Sequence, residues 1–99
     1  MRIELAWWDL NENDPTQNFL STSLTNQILE QWALVPNLTM KLWLGSEDTP
    51  RWGALMIWHG DKPDVAKMPR NMSADIIGRP PDHRIAFDVL YETSGVCAK

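Results

Sequence analysis

The chain has 99 residues, of which 43% are hydrophobic and 22% charged, so its composition is that of a folded globular protein and excludes a disordered one. This length suits one compact domain, and we predict a single domain over residues 1–99, with a core at 2–92 and a tail at 93–99. The formal net charge of −4 and the scattered positions of the nine Lys and Arg residues argue against nucleic acid as a partner.

The first third of the chain contains a predicted strand and a predicted helix. Residues 2–9 alternate and are rich in β-branched and aromatic side chains, which is typical of a strand. Asp14 then suits an N-cap, with Pro15 in the first helical position. Hydrophobic residues follow at helical spacing as far as Pro36 and predict one helix: Phe19, Leu20, Leu24, Ile28 and Trp32.

The rest of the chain predicts a hairpin, a broken helix and a final strand. Residues 38–44 and 52–58 have strand character on either side of a polar turn. Residues 61–77 are helical in part, but Pro69 excludes an unbroken helix. Residues 84–91 alternate strictly and predict the fourth strand. This order is that of the ferredoxin-like βαββαβ fold, an α+β fold with a four-stranded antiparallel sheet.

In this fold both helices cover one face of the sheet, and the alternation divides the strand side chains into two sets. We assign the apolar set to the helix side: Ile3, Leu5, Trp7, Met40, Leu42, Leu44, Leu55, Ile57, Ile85, Phe87 and Val89. The other set, here called the mixed set, combines tryptophan with charged residues: Glu4, Ala6, Trp8, Thr39, Lys41, Trp43, Trp52, Ala54, Met56, Trp58, Arg84, Ala86, Asp88 and Leu90. A hairpin turn with an even number of residues places Trp43 opposite Trp52 and Lys41 opposite Ala54.

The mixed set predicts an association surface or a cavity. A fully solvated face does not need several tryptophans, and a dry core does not hold charged side chains without pairing them. Tryptophan is enriched at the hot spots of protein interfaces, and large apolar patches mark association surfaces. We therefore expect a homodimer that packs sheet to sheet through this face.

The sequence also predicts a soluble, cytoplasmic protein. Glu4 and Asp9 interrupt the apolar run that a signal peptide requires. No stretch approaches the roughly 18 apolar residues of a membrane span, so we expect no membrane partner. Cys97 is the single cysteine, which excludes an intrachain disulfide and fits a reducing compartment.

Four short runs carry a family resemblance: Pro36-Asn37-Leu38-Thr39-Met40-Lys41-Leu42-Trp43, Gly53-Ala54-Leu55-Met56-Ile57-Trp58, Asp61-Lys62 and Phe87-Asp88-Val89. Together they resemble the YdhR-like mono-oxygenases of the dimeric α+β barrel superfamily, over most of residues 3–92. The resemblance implies two ferredoxin-like protomers whose sheets face each other and enclose a pocket. It also implies a cofactor-independent mono-oxygenase that binds a planar aromatic or quinol-like molecule. Haem-degrading relatives use a histidine on a helix, whereas His59 and His83 lie at strand ends, which argues against haem degradation.

The candidate substrate-binding residues belong to the mixed set. Trp8, Trp43 and Trp58 suit the stacking of a flat substrate, although packing at the dimer interface explains them as well. Lys41 and Arg84 suit the orientation of a polar substituent, although ion pairs with the acidic residues of the same set explain them equally.

His59 is the candidate catalytic base, because it follows a strand and an imidazole titrates near neutral pH; an exposed histidine without a role is the alternative. The sequence contains no phosphate-binding loop, metal motif or nucleophilic triad, so we expect no cofactor and no metal. The leading hypothesis is therefore the mono-oxygenase, which rests on the resemblance. The alternative is a small-molecule-binding or dimeric interaction module that catalyses no reaction.

Overall fold

Four strands form one antiparallel sheet in a computed structural model of the chain, which describes residues 1–95. The strands are β1 Arg2–Asp9, β2 Leu38–Ser46, β3 Arg51–Trp58 and β4 His83–Asp88, in the spatial order β2-β3-β1-β4. The predicted α+β class and four-stranded antiparallel sheet are confirmed, and the architecture is compatible with the ferredoxin-like fold. Cys97 and the end of the predicted tail lie outside the described residues.

The hairpin between β2 and β3 keeps the predicted faces but has a different register. The strands run on to Ser46 and Arg51, which pair with each other, and residues 47–50 form the loop. The predicted pairing of Trp43 with Trp52 is therefore wrong by two residues. The observed pairs are Trp43 with Ala54 and Lys41 with Met56. A shift by two residues leaves every side chain on its original face.

β2 lies at one edge of the sheet, and a bulge interrupts its ladder. The register shifts by one residue between Leu38 and Met40, which leaves Thr39 as the extra residue. Beyond the bulge the alternation continues, so Lys41 and Trp43 point to the same face.

The predicted first helix is two shorter helices, α1 Gln17–Thr22 and α2 Asn26–Ala33. Each begins at a threonine whose side chain accepts a hydrogen bond from the backbone N–H three residues on: Thr16 for α1 and Thr25 for α2. An N-cap satisfies backbone donors only at the start of a helix, so two caps favour two helices. The helical spacing of the apolar residues predicted one helix and did not indicate that a second helix begins after Thr25.

Asp14 is not an N-cap, which corrects the sequence prediction. Its two carboxylate oxygens accept hydrogen bonds of 2.7 and 3.1 Å from the Arg79 guanidinium, which also binds Asp82. The guanidinium lowers the pKa of both carboxyl groups, and the backbone N–H groups of Asn11 and Asp9 lower them further. Arg79 thus joins the loop after β1 to the loop before β4.

The second helix is broken, as predicted. A 3-10 turn at Val65–Lys67 and helix α3 at Met72–Ile77 lie on either side of Pro69. α3 ends at Gly78, whose φ of 88° is the left-handed conformation that glycine adopts without strain. The final strand is shorter than predicted, because β4 ends at Asp88 and not at residue 91. None of the helices in residues 1–95 is long and apolar enough to cross a membrane.

The helices cover the mixed set, which reverses the predicted assignment of the two faces. Trp8 and Trp52 are buried with Leu20 of α1 in one core cluster. Trp58 is buried with Trp32 of α2 in a second cluster. The prediction of a dimer interface on the mixed face is therefore wrong, because the chain's own helices occupy that face.

Hydrogen bonds explain why the mixed set suits a core. The indole N–H of each fully buried strand tryptophan has an acceptor: Trp8 donates to the Arg79 carbonyl oxygen at 3.0 Å, Trp52 to Ser73 Oγ at 2.8 Å and Trp58 to Glu4 Oε1 at 2.9 Å. A buried indole costs little free energy once its N–H is bonded. The tryptophans therefore build the helix side of the sheet.

Glu4 is the buried charge of this core, and it is paired. Lys62 Nζ lies 2.9 Å from Glu4 Oε1, and a guanidinium nitrogen of Arg2 lies 3.6 Å from Oε2. Burial raises the pKa of Glu4, but the hydrogen bond and charge of Lys62, together with the Trp58 N–H and Arg2, outweigh burial and hold this pKa below its usual value. The Glu4 carboxylate is therefore ionised within the core, and the positive charges of Lys62 and Arg2 balance its negative charge.

The other face of the sheet is apolar and uncovered. We call this surface the open face; it comprises Ile3, Leu5, Trp7, Met40, Leu42, Leu44, Leu55, Ile57, Ile85 and Phe87. Phe87 is 61% exposed and Met40 is 48% exposed, although both were expected in the core. Polar residues bound the face at one end, where Asp9 contacts Arg51 at 3.5 Å and His83 at 2.6 Å.

Candidate functional site

A partly enclosed cavity of about 50 Å³ lies between the sheet and the segment that begins α3. We call it the inner cavity. Three indoles, two cationic side chains and two small polar side chains contribute to its wall: Trp8, Trp43, Trp52, Lys41, Arg84, Asn71 and Ser73. Four of the five predicted substrate-binding residues therefore meet at one site, because alternation along the strands places them all on the helix side.

Lys41 is held between two indole rings in this wall. Its Nζ lies 3.2 Å from the ring centroid of Trp32 on α2 and 4.9 Å from that of Trp43. No carboxylate oxygen of residues 1–95 lies within 4.0 Å of the amine. Burial lowers the pKa of Lys41 to about 7, while the faces of the indoles attract its ammonium form. Both protonation states of this amine are therefore populated near neutral pH.

A second space, the outer groove, shares Lys41 and Trp43 with the wall of the inner cavity. It has a volume of about 340 Å³ and lies between α2 and the edge strand β2, with Trp32 and Leu29 in its wall. The inner cavity alone is too small for an aromatic ring, since a cavity that binds benzene has about 150 Å³. A flat ligand that reaches Lys41 would therefore lie largely in the outer groove.

Arg84 is the second cation of the inner cavity. It is exposed on the edge strand β4 and makes no ion pair within residues 1–95. At the start of α3, Asn71 accepts the N-cap hydrogen bond from the Ala74 N–H, and Ser73 Oγ accepts from the Trp52 indole N–H. No acidic residue lines the cavity. The cavity is consequently a local site of positive charge on an acidic protein.

Trp58 and His59 lie apart from this site. Trp58 is 1% exposed and packs in the second core cluster, where it binds Glu4. His59 is exposed at the end of β3, its backbone N–H donates to the Asn37 carbonyl oxygen at 2.9 Å, and its side chain does not line the inner cavity. Neither Trp58 nor His59 lines the inner cavity, although Trp43 packs against the core cluster that contains Trp58.

Sequence reasoning missed Trp32, Asn71 and Ser73 as parts of the site. Trp32 was expected on the apolar side of a helix, and nothing in that pattern indicated that it would contact Lys41. Asn71 and Ser73 belong to the start of α3, which an N-cap search after Pro69 identifies. Their position against Trp52 depends on the tertiary fold.

The open face has a groove of its own, of about 250 Å³, beside Trp7 and Leu44. It lies over Gly53, which has no side chain to fill it. A Cβ at Gly53 would lie 2.3 Å from the Ala6 carbonyl oxygen, so the close approach of β1 and β3 requires glycine here. This groove is apolar and separate from the inner cavity.

Neither a protein-family model nor a curated protein matches this sequence. The resemblance to the YdhR-like mono-oxygenases therefore stays a prediction based on four short runs. Among residues 1–95, no three or more His, Cys, Asp and Glu side chains are grouped so that they could hold a metal ion. The side chains of the inner cavity and outer groove are the features that indicate a function.

Proposed function

We propose that the protein binds a planar aromatic or quinol-like molecule that carries an ionised group, and acts on it as a cofactor-independent mono-oxygenase. One observation carries the proposal: Lys41 and Arg84 line a tryptophan-walled cavity that contains no carboxylate. Unpaired cations in such a wall favour an anionic ligand group, and the indoles favour an aromatic ring.

The proposed ligand is oriented by the two neighbouring spaces, which share Lys41 and Trp43 in their walls. The ring lies in the outer groove against Trp32 and Trp43, and the anionic group reaches Lys41 at the entrance to the inner cavity. Arg84 adds positive charge from the opposite side of that cavity. This arrangement accounts for both the size of the groove and the charge of the cavity.

In the proposed reaction Lys41 is the base. Its neutral amine removes the hydroxyl proton of a phenol, and the resulting phenolate donates electrons to dioxygen. One oxygen atom becomes a carbonyl oxygen on a ring carbon, and the other leaves as water with the two hydrogen atoms that the phenol loses. The product is a quinone, and no other reductant is consumed. Lys41 is better placed for this role than His59, which is exposed and off the cavity.

Ligand binding is tested by tryptophan fluorescence with 1-naphthoate and a neutral analogue, naphthalene methanol. We expect Lys41→Met to weaken naphthoate binding by about tenfold or more, because a charge-assisted hydrogen bond is lost. Arg84→Met should weaken it by a smaller factor, because Arg84 acts by its charge across the inner cavity, and neither substitution should affect the neutral analogue. Because the pKa of Lys41 is about 7, its ammonium is lost as the pH rises through neutrality. Naphthoate should therefore bind more tightly at pH 6 than at pH 8.

Lys67→Met is the matched control, since Lys67 is exposed on the 3-10 turn and away from the cavity. Flat fluorescence curves for the unmodified protein would refute the binding proposal. Oxygen uptake with 1-naphthol tests catalysis separately. Uptake should increase as the pH rises through 7, since the base must be neutral, whereas saturable binding without uptake would support the non-catalytic alternative.

The open face favours a second proposal, that two copies of the chain pack sheet to sheet. Ten apolar side chains cover the centre of this face, and Asp9, Arg51 and His83 bound it at one end. An apolar centre with a polar rim is the usual anatomy of a protein interface. A second copy presents the same apolar surface, so a two-fold axis would make the two faces complementary.

Leu42→Glu should convert the dimer into a monomer, because Leu42 lies on the open face and a buried carboxylate there would have no partner. Sedimentation velocity measures the change. Leu29→Glu is the control, since Leu29 on α2 has nearly the same exposure, 39% against 43%, and lies on the other side of the sheet. A monomeric unmodified protein, or a Leu42→Glu protein that remains dimeric, would contradict this proposal.

A further inference from the structure

We propose that Lys41 is a covalent site for aromatic aldehydes that carry an anionic group, with which its amine condenses to an imine. The inference rests on the ligand site proposed above, and adds a class of ligand and a chemical step. It does not depend on the oxygenation reaction.

The position of Lys41 allows a ligand in the outer groove to reach the amine. The side chain forms part of the wall of both the outer groove and the inner cavity, so a ligand in the groove meets it directly. The other lysines of residues 1–95 have different surroundings. Lys62 is paired with Glu4 at 2.9 Å, and Lys67 is exposed on the 3-10 turn. Lys41 is thus the lysine that is confined and free of a carboxylate.

The surroundings of Lys41 favour its neutral, nucleophilic form. Burial lowers the pKa of this amine to about 7, so about half of the molecules carry a neutral amine at that pH. The charged group that shares its cavity wall is Arg84, which lies on β4 at the opposite edge of the sheet, and burial is what lowers the pKa of Lys41. The facing residues from α2 and β3, Trp32 and Met56, are uncharged.

The proposed step is balanced without an oxidant or a reductant. The lone pair of Nζ attacks the carbonyl carbon to give a carbinolamine, which then loses water. The carbon–oxygen double bond is replaced by a carbon–nitrogen double bond, and the oxygen leaves as water with both amine hydrogens. The protonated imine carries its positive charge at the position that the Lys41 ammonium occupied. There it lies against the faces of Trp32 and Trp43, which stabilise positive charge.

The surrounding side chains select the aldehyde. The apolar wall of the outer groove suits an aromatic ring, and the positive charge of Arg84 across the small inner cavity favours an anionic ring over a neutral one. No acidic side chain of the inner cavity repels such an anion. We therefore expect 4-carboxybenzaldehyde to react faster than benzaldehyde.

The test is to incubate the folded protein with 4-carboxybenzaldehyde at pH 7, reduce any imine with sodium cyanoborohydride and map the adducts by mass spectrometry. Lys41 should be labelled at least about tenfold faster than Lys62 or Lys67, because Lys62 is held by the Glu4 carboxylate and Lys67 is exposed on the 3-10 turn, away from the groove that would hold the aldehyde. Lys41→Arg should lose the fast adduct, and Lys67→Arg should keep it. Circular dichroism checks that both variants are folded.

Labelling spread evenly over the lysines of the unmodified protein would overturn the inference, and this result does not depend on the folding of a variant. The unreactive analogue 4-methylbenzoate separates the two proposals. If it quenches tryptophan fluorescence saturably while the aldehyde leaves Lys41 unlabelled, the binding site stands and the covalent site fails. If Lys41 is labelled selectively while 4-methylbenzoate does not bind, the covalent site stands and the binding of aromatic anions fails.

Discussion

Replacing Leu20 with alanine is expected to lower the free energy of unfolding by about 2–5 kcal/mol. Leu20 is 1% exposed and packs between α1 and the sheet, against the indoles of Trp8 and Trp52. Both indoles are held by hydrogen bonds to other segments, so they cannot move freely into the space that the substitution leaves. The cost therefore includes an unfilled cavity as well as the lost burial of the side chain.

Urea unfolding followed by circular dichroism measures this effect at one fixed protein concentration, because the dimer proposed above would make stability depend on concentration. Leu34→Ala is the matched control. Leu34 follows α2 and is 82% exposed, so its loss should change the free energy of unfolding by no more than about 0.5 kcal/mol. Equal effects of the two substitutions would contradict the burial of Leu20 beneath the two indoles.

Glu4→Gln is expected to lower the free energy of unfolding at pH 7 by about 1–3 kcal/mol. Glutamine retains an oxygen for the Trp58 N–H but loses the charge that binds Lys62, 2.9 Å away. Because the pKa of Glu4 is lower in the folded protein, the unfolded chain binds protons first as the pH falls. The contribution of Glu4 is therefore complete above the usual carboxyl pKa of 4.5 and is lost as the pH falls through the lower pKa of the folded state.

The difference in stability between the unmodified protein and Glu4→Gln should consequently decrease toward acidic pH. Thermal or urea unfolding at a series of pH values between 7 and about 3 measures this difference. Other carboxylates, such as Asp14, titrate in both proteins and cancel. Glu30→Gln is the control because Glu30 is exposed on α2. A constant difference across this pH range would disprove the assigned role of the Glu4 carboxylate.

Alternation along the strands predicted which side chains share a face, but not which face the helices cover. The strands at 2–9 and 52–58 were predicted to within one residue of their ends. Period-two patterns sort side chains into two sets, and only the contacts of the helices decide which set is buried. The apolar set was the natural choice for the core. The N–H acceptors that allow Trp8 and Trp58 to be buried come from residues 54 or more positions away in the chain.

Alternation along the strands also made part of the candidate site predictable. Trp8, Trp43, Lys41 and Arg84 share a face and lie at the three neighbouring levels of Trp52, Ala54 and Met56, and the structure brings them to one cavity. Trp58 shares the face but lies four residues beyond Ala54, which places it in the other core cluster. The separation along a strand therefore decides which members of one face meet, and the register that sets it depends on the length of the hairpin loop.

The bulge at Thr39 has a consequence for how copies of this protein can associate. An unpaired edge strand normally offers its backbone groups to another chain, and such edge-to-edge contacts repeat without limit into fibres. The bulge shifts the hydrogen-bonding register of β2 between Leu38 and Met40. A regular strand from another molecule therefore cannot pair with β2 along the whole length of that strand. On the opposite edge, β4 has only six residues. Both edges therefore resist open-ended growth, and the face-to-face contact proposed above would close after two molecules.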